Sequence, residues 1–323
     1  MGQVIRMRRP ATTLLLTVML VLAAGCGSDD GGGGAAGPDQ VKVGVIPIID
    51  VAPIYLGKQQ GFFSKRNIEL QFETAQGGAA IVPGVVSGQF QFGFSNMTSM
   101  MIARDRGIDI QVLAPGSSST GEQGKDFGAV VVKADSPVKS AKDLAGKTVA
   151  VNTLKNIGDS TVKSSIRKDG GDAAAVKFVE MPLPDMPAAV ANGRVDAAWV
   201  VEPFLTITTG QGDRPIAWNF VDTAPDLMVA GYFTSGKLVR EKADLAKRFT
   251  EAINESQAYA AGHPDEARSI ITTYTQIDKA TADKLTLPAW PAQVNRESTQ
   301  VLADIAVQDK LVSKAPDLDA LLP

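Results

Sequence analysis

Cysteine and histidine are nearly absent: the 323 residues hold one of each, Cys26 and His263. No Cys/His zinc set can be assembled from them, and a Ser-His-Asp arrangement exists only if His263 is its base. His263 stands directly before Pro264 at a helix start (HPDEARSIITTY), where capping or surface exposure accounts for it. Excess basic charge is also missing. Lys and Arg number 32 against 35 Asp and Glu, for a net charge of −3, and no basic patch stands out, which argues against nucleic acid or an acidic polymer as partner. Nothing in this inventory calls for a cofactor.

Long apolar runs are missing too, apart from one near the start. Arg6, Arg8 and Arg9 precede an apolar run at 14–24 and then Gly25-Cys26. The run is too short to span a bilayer and fits an export signal at 1–25. Leu22-Ala23-Ala24-Gly25-Cys26 resembles the lipobox of bacterial lipoproteins, with Ala23 where leucine is commoner. That resemblance implies a lipid on Cys26, the membrane lipid being its partner and the extracytoplasmic face of the cell membrane its address. An ordinary secreted protein with an incidental cysteine is the alternative. Residues 26–39 (CGSDDGGGGAAGPD) read as a flexible tether.

The stretch 136–166 organises the rest. Ser140 and Asp143 have capping-box spacing, Gly146 can end the short helix, and TVAV alternates as a β-branched strand. A polar loop at 152–159 follows, and Ser160 or Thr161 can cap a second helix carrying Val162 and Ile166 on one face. Strand, loop and helix N-terminus together present backbone N–H groups to a small ligand.

Around this unit strands and helices alternate from residue 41, as an α/β chain requires. VKVGVI, IELQFE, FQFGFS and the segment 108–113 form one series of strands. AVVV, TVAVN, VKFVEM and VDAAWVV form a second that reads as parallel. The segments 85–94 (VVSGQFQFGF) and 190–199 (VANGRVDAAW) echo each other as helix, glycine and buried strand. Either they are equivalent pieces of two similar lobes, or helix-glycine-strand is only common punctuation. LMVAGYFTS reads as a returning strand, followed by a helix with Leu245, Phe249, Ile253, Ser256 and Ala260 on one face.

SPVKSAKDLAGKTVAVN, with the tail VNRESTQVLADIAVQDKLV, resembles the solute-binding proteins of bacterial ABC importers. The similarity is to the nitrate/sulfonate/taurine and thiamine-pyrimidine-precursor branch, and covers 41–322. It implies a two-lobed periplasmic-binding-protein type II fold of the α/β class, each lobe a mostly parallel sheet flanked by helices. Lobe 1 would comprise 40–127 and 237–323, and lobe 2 would comprise 128–236.

In this architecture four loops converge beyond the carboxyl ends of strands. The first supplies Asp50 and Ala52, and the second supplies Gly77 and Gly78, where backbone can approach a ligand unless they only make a turn. The third supplies Ser95, Asn96 and Thr98, with helix capping as the other role for Ser95 and Asn96. The fourth supplies Thr153, Asn156, Gly158, Asp159, Ser160 and Thr161, of which Asp159 has a capping alternative. Glu202, directly after AAWVV, either faces the cleft or serves the first turn of the helix EPFLTITT. Tyr232 and Trp199 are candidates to stack on a flat ligand, though an aromatic inside an apolar strand such as Trp199 is more often core. The expected function is capture of a small organic solute (a sulfonate, an aminopyrimidine or similar) by a monomer that delivers it to an ABC permease. Acidic groups outnumber Lys155 in these loops, which tips the balance away from a simple inorganic anion. Two alternatives stand: a pyrimidine-synthase-like enzyme, for which the iron site and cysteine-rich motif are lacking, and a sensor signalling to a membrane partner.

Overall fold

The computed structural model describes residues 37–323. The expected export signal, Cys26 as the expected lipid site and nearly all of the expected tether lie outside the described residues. The tether is expected to run to residue 39, but Asp39 already opens the first strand.

Among the described residues ten strands form two sheets: β1 (Asp39–Val45), β2 (Ile68–Thr74), β3 (Phe92–Asn96), β4 (Ile110–Pro115), β5 (Gly128–Val132), β6 (Thr148–Val151), β7 (Lys177–Glu180), β8 (Ala197–Val201), β9 (Arg214–Ala217) and β10 (Ala230–Ser235). The orders are β2-β1-β3-β10-β4 and β7-β6-β8-β5-β9. Within the first sheet β1 pairs in parallel with β2 and β3, while β10 runs antiparallel to β3 and β4. Within the second, β6 pairs in parallel with β7 and β8, and β5 is antiparallel to β8 and β9.

Two expectations change here. AVVV, read as the start of a parallel series, is the antiparallel strand β5. LMVAGYFTS contributes β10 to the first sheet, so the chain re-enters that sheet at Ala230, ahead of a boundary at 237. Alternation of β-branched and small residues marks a strand but carries no information about its direction or its sheet.

The echo between 85–94 and 190–199 has a structural counterpart. Phe92 and Ala197 each open the third strand in their sheet's order, and each pairs in parallel with the second strand of that order, Val43 with Phe92 and Val149 with Ala197. Phe94 and Trp199 therefore occupy equivalent places in the two halves.

Each half has its own core. In the first, the helix Ala243–Gly262 lays Leu245, Phe249, Ile253, Ser256 and Ala260 on the sheet, all buried as its periodicity predicts. The Phe249 ring stacks on Phe92 at 3.7 Å between centroids. In the second, Phe127 and Trp199 both pack against Phe220. Fully burying one such aromatic side chain contributes about 2–3 kcal/mol.

The halves are joined where 116–127 leaves the first sheet and 224–229 returns to it. Ser118 bridges to both Met228 and Ala289, so the two crossings and a C-terminal segment form a narrow three-stranded hinge. Beside it the buried Asp126 carboxylate accepts from Ser119 Oγ at 2.8 Å and from the backbone N–H groups of Thr120 and Phe127 at 3.0 Å. Among the described residues no helix is long and apolar enough to cross a membrane.

Candidate functional site

Between the two sheets the carboxyl ends of β1, β2, β3, β6, β7 and β8 face one another. The parallel strands of a twisted sheet end on one edge, and loops leaving that edge form a crevice. Here two such edges are opposed. The inner chamber, about 30 Å³, is lined by Asp50, Asn96, Asn152, Phe94, Trp199 and the apolar residues Ile46, Ile48, Ile157, Leu183, Val201, Phe220, Val229 and Ala230. It adjoins, through Ile46, Ile48 and Leu183, an outer cavity of about 240 Å³ walled also by Pro47, Thr74, Ala75, Gln76, Pro182, Pro184 and Phe204.

Asp50 is the chemically distinctive residue. It sits in a single turn after β1 and is only 2 % exposed. Its Oδ1 accepts from Ser117 Oγ at 2.5 Å, whereas its Oδ2 has no hydrogen-bond partner. Burial pushes its carboxyl up to about 6, with the nearby Asp126 adding to the rise and the Ser117 bond opposing it. Trp290 Nε1 donates to the Asp50 carbonyl at 3.3 Å, fixing the turn from the other side. Tyr232, on β10, lies within the first core with its ring edge against Phe94. Its hydroxyl lacks a partner, and burial together with the Asp50 charge holds its pKa well above the usual phenol value.

Capping governs the next loop. Asn96 accepts from Ser99 N at 2.8 Å and caps the helix Met97–Asp105, and it also lines the chamber, so both of its expected roles hold together. Ser95 is buried and donates to the Asn96 carbonyl. A Cβ on Gly78 would lie 1.9 Å from Ser95 Oγ, so this glycine lets the helix start close onto the strand end. Thr98 is buried with its Oγ1 unpartnered. Ala52 opens the helix Ala52–Gln59 and is buried outside the cavity walls.

The opposite wall departs from the expected cap. Asn156 caps the helix Ile157–Lys168, accepting from Ile157 N at 2.8 Å. Ser160 and Thr161 lie inside that helix. Ser160 Oγ is buried without a partner, while Thr161 Oγ1 donates to the Ile157 carbonyl and accepts from Asn219 Nδ2 at 2.7 Å. Asp159 Oδ2 accepts from Lys155 N, its Oδ1 is unpartnered, and burial pushes its carboxyl up to about 6. Gly158 sits under the indole: a Cβ there would lie 2.9 Å from Trp199 Cε3. Trp199 Nε1 is buried without an acceptor.

Bonds from one half to the other hold the cleft shut. Asn152 Nδ2 donates to the Gln76 carbonyl at 3.0 Å, and Ser99 Oγ donates to Asn156 Oδ1 at 3.1 Å. Gly77 faces Thr153 across this seam, so closely that a Cβ on it would fall 2.7 Å from Thr153 Oγ1. Arg167, from the second half, grips Asp309 at the end of the helix Arg296–Gln308 with contacts of 2.7 and 3.4 Å.

Glu202 is placed differently from the cleft-facing reading. Its carboxylate accepts from Thr206 N, Thr206 Oγ1 and Thr286 N at 2.9, 2.7 and 3.1 Å. It thus serves the first turn of the helix Phe204–Gly210 and ties that turn to the C-terminal segment, without lining either cavity. Burial pushes it up to about 7 against the pull of those bonds. Asn152 falls in the polar loop read from the sequence but is not named there as a contact, and the 182–184 loop is not anticipated at all. The latter follows β7, and the same rule about strand ends that places the other loops would find it.

No group of His, Cys, Asp and Glu suited to a metal occurs among the described residues. The two sheets, each ordered around a central third strand with one antiparallel neighbour and with ligand-sized space between their edges, define a periplasmic-binding-protein fold of type II. The alkanesulfonate-binding protein of Xanthomonas axonopodis pv. citri, solved with MOPS, superposes with a TM-score of 0.73 at 15 % identity, over 90 % of this chain and 99 % of that one. The nitrate-binding protein of Synechocystis gives 0.71 at 14 % identity, over 89 % and 87 %. By sequence, a Bacillus subtilis (strain 168) protein described as binding aliphatic sulfonates is 22 % identical over 251 residues, covering 76 % of this chain and 73 % of its own. Residues 48–267 match the NMT1/THI5-like family, and the chain belongs to it.

Proposed function

We propose that this chain is the solute-binding component of an ABC importer. It captures a small organic solute between its halves and delivers it to a membrane permease, acting as a monomer held to the extracytoplasmic face by a lipid on Cys26. The lobes on this reading are built on the first and second sheets, with the hinge at Ser118. The observation that carries the reading is the chamber between two opposed sets of strand ends, where Asp50 Oδ2 and Trp199 Nε1 are buried without partners. Unpaired buried polar atoms are costly in a finished structure and are expected where a ligand completes the bonding. The relatives named for sulfonates and nitrate support a role in binding.

Closure follows from the same geometry. Only the closed state brings Asp50 and Asn96 to the same molecule as Asn152 and Trp199, so a solute stabilises closure by its differential contact. A thermal-shift panel of sulfonates, nitrate, taurine, aromatic carboxylates, aminopyrimidines and alkylamines tests this, with small-angle scattering before and after addition. A solute that raises the melting temperature should also compact the particle, since a ligand stabilises by RT ln(1 + [L]/Kd). No shift from any class would end the solute-binding reading. The anchor is tested apart: Cys26→Ser should release the protein from the membrane fraction, and unchanged fractionation would remove the lipid.

A further inference from the structure

Resting on the solute-binding reading, we propose that the solute is an organic cation, with a small N–H-bearing head against Asp50 and an apolar body reaching toward Leu183 and Phe204. Three observations converge on it. The first is the carboxylate itself: Asp50 is 2 % exposed, lines the inner chamber, and has one oxygen bonded to Ser117 and the other free. The second is the company it keeps. Among the described residues neither cavity has a lysine or arginine in its wall, so these walls supply no counter-charge. A buried carboxylate with no cation and one oxygen unbonded is disfavoured, and a ligand bringing N–H groups repairs the defect.

The third observation is size. A chamber of about 30 Å³ exceeds the minimum for one water molecule by about a factor of two, which suits an ammonium or amidinium group. The adjoining 240 Å³ is walled largely by Ile46, Ile48, Ala75, Leu183 and Phe204, which suit a hydrocarbon or aromatic body. Trp199 also lines the inner chamber, and its Nε1–H is buried without an acceptor. A sulfonate head would satisfy the indole, but the small chamber would hold its oxygens against a carboxylate with no cation between them. Binding would then require Asp50 to take up a proton.

Matched probes decide the matter: 2-phenylethylamine against 2-phenylethanesulfonate, and hexylamine against hexanesulfonate, titrated calorimetrically into the wild-type chain and Asp50→Asn at pH 7.5. The amines should bind at least 100-fold more tightly than their sulfonates, and Asp50→Asn should weaken the amines at least tenfold. Sulfonates that bind as well as or better than the amines overturn the charge assignment while leaving the solute-binding reading intact. Amines that bind equally to Asp50→Asn, or that fail to bind at millimolar concentration, overturn it too. The solute-binding reading itself fails only if the whole thermal-shift panel is silent. Should Asp50→Asn not fold, the ranking of amine against sulfonate on the wild-type chain is decisive.

Discussion

Asp50→Asn should make the ligand-free protein more stable at neutral pH, although it removes a site residue. The Asp50 carboxyl is pushed from 3.8 to about 6 by burial. A rise of roughly two units at about 1.4 kcal/mol each amounts to about 3 kcal/mol of native-state cost for the charged form. The sign follows from linkage. A group whose folded pKa is raised favours the native state fully below its unfolded value, and that contribution is lost as pH rises through the folded value. Wild-type stability from this group therefore falls between about pH 4 and pH 6 and stays low above. Asparagine carries no charge at any of these pH values and keeps an acceptor for Ser117 Oγ. Urea unfolding of both proteins at pH 7.5 and pH 4 measures the difference, and Glu202 and Asp159, which titrate nearby, cancel because both proteins contain them. The expected result is a variant more stable by about 1–3 kcal/mol at pH 7.5, with the gap closing at pH 4. A variant destabilised equally at both values would show that the carboxylate is not strained in the native state, and the case for a charge-compensating solute would weaken with it.

Three other perturbations separate site from scaffold. Glu202→Ala leaves Thr206 N, Thr206 Oγ1 and Thr286 N without their acceptor, so it should destabilise by about 2–4 kcal/mol in urea unfolding; a stable variant that merely binds solute more weakly would return Glu202 to the cleft. Gly158→Ala places a methyl 2.9 Å from Trp199, and overpacking of this kind costs about 1–3 kcal/mol. Its indole fluorescence should shift and solute affinity should fall, whereas unchanged spectra would refute the contact. Arg167→Met strands Asp309, whose side chain is 5 % exposed, and loosens the closed state. Solute affinity should drop about fivefold, or about 1 kcal/mol, with a larger ligand-free radius by scattering; an unchanged radius would show that the pair does not hold the halves together.

Much of this is legible in the chain because burial and periodicity are local. The five residues expected on one face of the long helix are all buried, joined by Ala246, Ala252 and Gln257, and the Ser140–Asp143 spacing does form a cap, with Asp143 accepting from Ser140 N at 3.0 Å. The two halves are legible as an echo because equivalent strands begin at equivalent residues. Strand direction is not, since β5 and β10 have ordinary buried-strand compositions and acquire their antiparallel partners from the path of the hinge. The cleft-facing expectation for Glu202 fails for a related reason. A carboxylate after an apolar strand must be solvated or bonded, and only tertiary structure supplies Thr286, which lies far away in sequence, as one of its donors. The helix cap is Asn156 and not Ser160 or Thr161, and the same amide oxygen also accepts from Ser99 Oγ of the other half, a contact that local capping rules do not contain.

The position of Asp50 relative to the hinge ties recognition to movement. Its side chain is held by Ser117, whose carbonyl in turn accepts from the N–H groups of Val229 and Ala230 on the returning crossing. Its own carbonyl is held by Trp290, next to the Ala289 that pairs with Ser118. Asp50 is thus bonded directly to Ser117 on the outgoing crossing and to Trp290 beside the C-terminal segment, and reaches the returning crossing only through Ser117, while the bonds that fasten the cleft, Ser99 to Asn156 and Arg167 to Asp309, lie on the helices that flank it. Relieving the charge at the hinge and completing the contacts at the edges are separate contributions to the closed state. A solute that supplies only an apolar body fills the outer cavity and leaves the carboxylate unrelieved, so it should bind without full closure. A solute that also supplies the donor acts on both, and its affinity should depend on Asp50 and Arg167 non-additively in a double-mutant cycle.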